Sequence, residues 1–241
     1  MQSRLRRAGV FSLLALLVFT SGRLSAADRL EGVPPKLLFS QKSAILILIN
    51  GDPEYRPIDG TDFERIINTK PFIVRDSAGL YYLKLFDGWM EAYMLRGHWS
   101  VSGVAPRGIE PALEKAIAAK TVDLLDGASR GQPGEMPTLN DDTAPTVFIS
   151  TEPAELIITD GPPRFAAVKG TKLQYIENTT ANVFKEPTDD EFYVLTDGRR
   201  WLRAWTFDGP WEFVSRADLP ADIAAISDRS PIVTRRRRPS R

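Results

Sequence analysis

Residues 89–99 read W-M-E-A-Y-M-L-R-G-H-W, and residues 201–211 read W-L-R-A-W-T-F-D-G-P-W. Trp89, Ala92, Gly97 and Trp99 recur at the spacing of Trp201, Ala204, Gly209 and Trp211. Of the five tryptophans in the chain only Trp205 lies off this matched spacing, and it sits inside the second stretch. A repeat of this kind decides the fold class before any single residue is weighed.

The repeat extends well beyond the tryptophans. A shift of 110 positions aligns residues 35–69 with 145–179 without a gap. Pro35, Ser40, Ala44, Leu46, Ile47, Gly51, Pro53, Gly60, Thr61, Ile66, Asn68 and Thr69 each meet their own kind. Small insertions then move the offset to 112, where the tryptophan stretch aligns. The chain therefore holds two copies of one module.

Each copy reads as β-structure. Leu37-Leu38-Phe39 and Phe148-Ile149 open a first strand, and Ala44 to Ile49 and Ala154 to Thr159 give a second. The run Ala44 to Ile49 is apolar throughout, which predicts a strand buried on both faces. Its counterpart carries Glu155 and Thr159 and is expected to be half exposed, with copy one contributing more to a shared interior. Gly51-Asp52-Pro53 and Gly161-Pro162-Pro163 mark turns, as do Gly60-Thr61 and Gly170-Thr171. Phe63 to Asn68 and Leu173 to Asn178 give a third strand, ended by asparagines that tolerate turn geometry. Asp87-Gly88 and Asp197-Gly198 are two-residue hairpin signals. Pro111 to Val122 predicts a helix with Ala116, Leu113 and Ile117 on one face, and Leu219 to Ile226 a shorter one.

The expected class is mainly β: two homologous small antiparallel β-modules, barrel- or sandwich-like, each followed by a short helix. The boundaries are a signal peptide over 1–26, module one with its helix over 34–125, a linker over 126–144, module two with its helix over 145–228, and a disordered basic tail over 229–241. Arg4, Arg6 and Arg7 precede an uncharged apolar run from Ala8 to Gly22, and Leu24-Ser25-Ala26 ends in small residues. That order is a secretory signal, so the protein is expected in the periplasm or secreted.

Removing residues 1–26 takes away four of the 31 basic groups and none of the 31 acidic ones. Five of the remaining arginines, Arg235 to Arg238 and Arg241, lie in the tail. The folded body is thus acidic, which disfavours nucleic acid as a partner. The tail fits an anionic membrane surface. There is no cysteine, so an exported chain must rely on its core alone, and thiol catalysis is excluded.

The strongest candidate chemistry is the tryptophan stretch. Period two places Trp201, Arg203 and Trp205 on one face of a strand, and Leu202, Ala204 and Thr206 on the other. Copy one divides the same way, with Trp89, Glu91 and Tyr93 opposite Met90, Ala92 and Met94. The second set reads as core-facing, which leaves Trp89, Tyr93, Trp201, Arg203 and Trp205 as the candidate ligand-binding residues. Flat aromatic rings suit the apolar faces of sugars. Trp99 and Trp211 are expected to close the core after the glycine turn. His98 is the single histidine and stands where copy two has Pro210, as a surface turn residue. Nucleophile, phosphate-loop and metal-ligand motifs are lacking, so no enzyme activity, cofactor or metal is expected. Asn178-Thr179-Thr180 matches a glycosylation sequon, but Asn68-Thr69-Lys70 does not, so shared turn chemistry explains both asparagines better.

The stretches S-T-E-P-A-E-L-I-I-T-D-G (150–161), G-T-K-L-Q-Y-I-E-N-T (170–179), F-Y-V-L-T-D-G-R-R-W-L-R-A (192–204) and D-G-P-W (208–211) resemble a group of uncharacterised bacterial exported proteins labelled "carbohydrate-binding family V/XII". The resemblance covers most of copy two and, more faintly, copy one. It implies export and a polysaccharide or cell-envelope glycan as ligand. The expected function is non-catalytic binding of such a glycan. The alternative is an envelope scaffold that engages another protein through the same aromatics.

Overall fold

The computed structural model describes residues 32–125, 137–196 and 200–226. The expected signal peptide, the basic tail, the first part of the linker and the Asp197-Gly198 turn lie outside the described residues. Copy one supplies β1 (Lys36–Ser40), β2 (Ala44–Leu48), β3 (Tyr55–Pro57), β4 (Glu64–Ile66), β5 (Ile73–Arg75), β6 (Tyr81–Leu85), β7 (Gly88–Ala92), β8 (Ser100–Val101) and helix α1 (Glu110–Ala118). Copy two repeats the order as β9 (Thr146–Ser150), β10 (Ala154–Ile158), β11 (Phe165–Ala167), β12 (Gln174–Ile176), β13 (Asn182–Glu186), β14 (Glu191–Leu195), β15 (Trp201–Ala204) and β16 (Glu212–Val214). A 3₁₀ turn (Arg216–Asp218) and helix α2 (Ala221–Ala224) follow. The fold is mainly β, and the two modules carry the same parts in the same order.

Strands β3 to β8 form one antiparallel six-stranded meander, and β11 to β16 form a second. Each is an open sheet, because its first and last strands do not pair. The strands β3 and β11 carry no strand signal of their own. At three residues each, they are extended because β4 and β12 pair with them.

The first two strands of each copy do not join their own meander. β1 pairs in parallel with β10, from Lys36 opposite Ala154 to Ser40 opposite Ile158. β2 pairs in parallel with β9, from Ala44 opposite Thr146 to Leu48 opposite Ser150. A shift of 110 residues converts one pair into the other, so the two copies are related by exchange. The corner between the paired strands is built alike in both. Ser40 Oγ donates to the Lys42 carbonyl at 2.8 Å, and Ser150 Oγ donates to the Glu152 carbonyl at 2.8 Å.

This exchange also crosses the cores. The β2–β9 pair lies on the copy-one meander, where Ile47 and Val147 pack with Ile73, Leu83, Met90, Ala92 and Trp99. The β1–β10 pair lies on the copy-two meander, where Leu37 and Ile157 pack with Ile176, Val183, Val194 and Leu202. Leu37 of copy one is thus a core residue of module two, and Val147 of copy two is a core residue of module one. The trailing helix covers the opposite face of each sheet. Ile109 and Ala116 lie on Phe72, Val74 and Trp89, while Leu219 and Ile223 lie on Phe184 and Tyr193. Each module is therefore a stack of three layers: parallel pair, meander and helix. From Pro34 onward the described residues form one compact unit.

Four expectations are corrected here. β2 and β10 share one burial pattern, with Leu48 49% and Ile158 37% exposed, so copy one does not dominate the interior. A two-stranded layer has only one face against a sheet, whatever the composition of its strands. In the first hairpin, Leu85 pairs with Gly88, so the loop is Phe86-Asp87. Gly88 is needed for close approach instead, because an added Cβ would lie 3.0 Å from Leu139 Cδ2. The end of the expected linker is accordingly part of module one. Leu139 is buried in its core, and its N–H donates to Asp87 Oδ1 at 2.7 Å. On α1, Ala112, Leu113 and Ala116 face the sheet, while Ile117 is exposed.

The repeated asparagines are clamps. Asn68 Nδ2 donates to the carbonyls of Asn50 and Asp52, and its Oδ1 accepts from the Glu54 N–H. Asn178 Nδ2 donates to the carbonyls of Asp160 and Pro162, and its Oδ1 accepts from the Arg164 N–H. Each asparagine so ties the loop between the exchanged strands and its own meander. Both amide hydrogens of Asn178 are in use and the residue is buried, which gives the sequon a structural reason. Asn178→Ala removes three hydrogen bonds, each worth about 0.5–1.5 kcal/mol net. It should lower the unfolding free energy by about 2–4 kcal/mol in urea, whereas exposed Thr180→Ala should change it by less than about 0.5 kcal/mol.

Candidate functional site

The tryptophan stretch lies on β7 and β15 and on the turn that follows each. Alternation along these strands is as the sequence implies for Met90 and Ala92, and for Leu202 and Ala204, which face the parallel pairs. Met94 and Thr206, expected on the same face, lie beyond the strand ends and are exposed. The opposite face is not open. Trp89 is only 7% exposed, under Ile109 and Ala116, with its ring 6.2 Å from Phe72 in an edge-on contact. Trp201 is half-buried, 5.9 Å from the Phe184 ring and packed with the cluster that contains Leu219 and Ile223. The expected outward platform is thus corrected for Trp89, and for most of Trp201, because the trailing helices cover that face.

The helix cover ends where the strands end. One residue beyond Ala92 and Ala204, Tyr93 is 88% exposed and Trp205 is 64% exposed. The two rings occupy equivalent positions in the two copies. Arg203, in mid-strand, is half-buried beside Tyr193, and its Nη2 lies 3.8 Å from Glu212 Oε2. Tyr193 donates to Glu191 Oε2 at 2.5 Å, and burial and this bond push its phenol well above the usual range.

The turns that carry Tyr93 and Trp205 are held by the second tryptophan of each stretch. Trp99 Nε1 donates to the Leu95 carbonyl at 3.1 Å, and Trp211 Nε1 donates to the Phe207 carbonyl at 3.2 Å. The Gly97 N–H closes on the Met94 carbonyl at 2.8 Å and the Gly209 N–H on the Thr206 carbonyl at 3.1 Å. Trp99 is buried and Trp211 half-buried, so these indoles fix the turns from below. Each turn also touches the other copy. Arg96 Nη2 donates to Thr151 Oγ1, and Phe207 packs on Phe39 with centroids 4.9 Å apart. The backbone that carries each exposed ring is therefore held in place.

His98 is exposed on its turn, and Asp141 and Asp142 are exposed on a turn capped by Asn140 Oδ1. Among the described residues, no group of three His, Cys, Asp or Glu side chains could hold a metal ion. None of the described helices is long and apolar enough to cross a membrane. The structure also brings together a set of residues that the motif search misses: Arg56, Arg65 and Lys115 line one cleft of module one. The signal was present in the repeat, where Arg56 and Arg65 align with Ala166 and Tyr175.

Comparison with protein-family models, curated proteins and solved structures finds no match.

The two classes of aromatic separate in a stability measurement. Trp89→Ala opens a cavity between sheet and helix and should cost about 3–5 kcal/mol. Trp205→Ala and Tyr93→Ala should each stay within about 0.5 kcal/mol of the native protein. Urea unfolding followed by circular dichroism measures all three.

Proposed function

We propose that the protein is an exported, non-catalytic binding protein that recognises a polysaccharide or cell-envelope glycan through Tyr93 and Trp205. The observation that supports this most is the pair of solvent-exposed rings, on braced turns, at equivalent points of the two copies. An indole or phenol face gives the C–H face of a sugar a large apolar contact, and its N–H or O–H reaches a hydroxyl. Two such contacts on one rigid unit suit a ligand that repeats along its length, since the second contact gains from the first. Arg203, close to Trp205 in the chain, supplies a polar neighbour. The signal sequence supplies the compartment in which such glycans occur.

A second reading, an envelope scaffold that binds another protein, rests on Met94. It is exposed beside Tyr93 and gives that turn a more apolar surface than Thr206 gives the turn of Trp205.

Co-sedimentation with insoluble peptidoglycan, chitin and cellulose distinguishes the two. It does not rely on Trp205 as its own reporter. Native protein should pellet with at least one of them, and Trp205→Ala and Tyr93→Ala should each weaken that binding about tenfold, or 1.4 kcal/mol. If no polysaccharide retains the native protein, or if both variants bind as well as it does, the glycan reading is wrong.

A further inference from the structure

Arg56 on β3 stands directly opposite Arg65 on β4. Like charges in facing positions of an antiparallel pair are destabilising. Copy two has Ala166 opposite Tyr175 at the same register, so the module folds without the two charges. Among the described residues, neither arginine has a carboxylate within ion-pair distance.

The two side chains line a cleft of about 430 Å³ between the β3–β4 hairpin and the start of α1. The Gly60-Thr61 turn, Gly108, Pro111 and Lys115 complete its wall, with Asp59 as its single acid. Three cations against one carboxylate leave two positive charges.

Arg65 is held in place for such a task. Its Nη2 donates to the Thr121 carbonyl at 3.0 Å, and its guanidinium lies 5.1 Å from the centroid of the Phe72 ring. Its Nε is buried and has no hydrogen-bond partner among the described residues. Burial, and then the charge of Arg56, hold the guanidinium below its usual range. A bound anion would offset both.

We propose that this cleft of module one is an anion site that takes a phosphate group, either free or carried on a sugar. The excess of two positive charges matches a dianion. The exposed Arg56 guanidinium and Lys115 ammonium match the oxygens of a phosphate, while Arg65, both of whose Nη atoms donate to Thr121, adds its charge. The site is separate from Tyr93 and Trp205 and does not depend on the glycan reading.

Isothermal titration calorimetry of the full chain at low salt, with inorganic phosphate and with glucose 6-phosphate, tests it. Arg56→Ala and Lys115→Ala alter exposed side chains, and Arg65 is left intact because it packs on Phe72. Native protein should bind phosphate and show a phosphate-dependent rise in its thermal midpoint. Each substitution should weaken binding about tenfold, while Lys172→Ala, exposed in copy two, should leave it unchanged. Equal affinity for the two ligands supports a site that reads the phosphate alone, and tighter binding of glucose 6-phosphate supports a carried phosphate. The proposal is overturned if native protein gives neither heat nor thermal stabilisation, or if binding survives the Arg56→Ala/Lys115→Ala double substitution.

Discussion

The parallel pairing of β1 with β10 and of β2 with β9 is the constraint on which the rest depends. It places Leu37 in the core of module two and Val147 in the core of module one. A fully buried side chain of this size contributes about 1.5–3 kcal/mol. Parallel strands cannot be joined by a tight turn and need a long crossover. Here the crossover is the whole of module one, meander and helix included. Each meander buries its inner face under one strand from each copy. The chain holds no cysteine, and the two halves brace one another through the exchanged strands instead.

Much of this was legible in the sequence. The repeat gave the number of modules and the order of strands, because Gly51, Gly60, Asn68 and their partners punctuate both copies alike. Which strands pair across the copies was not legible, and for a physical reason. Two copies with the same hydrophobic pattern satisfy that pattern equally well within a copy or between copies, so periodicity is degenerate between them. The same limit applies to the tryptophan stretch. Period two sorted Trp89 from Met90 correctly, but periodicity cannot say what lies above a face. Ala112, Leu113 and Ala116 of α1 supply that cover, and only beyond the last strand residue does a ring reach solvent.

Comparison of the copies within one chain separates what the fold requires from what one copy adds. A cation between two rings occurs in both modules. Arg75 lies 4.0 Å from the Tyr55 ring and 5.9 Å from the Tyr81 ring, and Lys185 lies 6.0 Å from Phe165 and 5.4 Å from Phe192. In copy one, the Tyr55 hydroxyl also bonds that of Tyr81 at 2.8 Å, and burial, with this bond, pushes Tyr55 up to about 12. Such repeated features belong to the module. Arg56, Arg65 and Lys115 do not recur in this way, and the register they occupy works as Ala166 and Tyr175 in copy two. Tyr93 and Trp205 lie between these cases: the exposed position is shared, and the ring differs.

The interdependence of the two modules is tested most directly by hydrogen exchange of the full chain across a urea series, read separately for β4 to β7 and for β12 to β15. If the exchanged strands hold both cores, the two meanders should lose protection together, in one transition at one urea concentration. Loss of protection in one meander while the other stays protected would contradict the account.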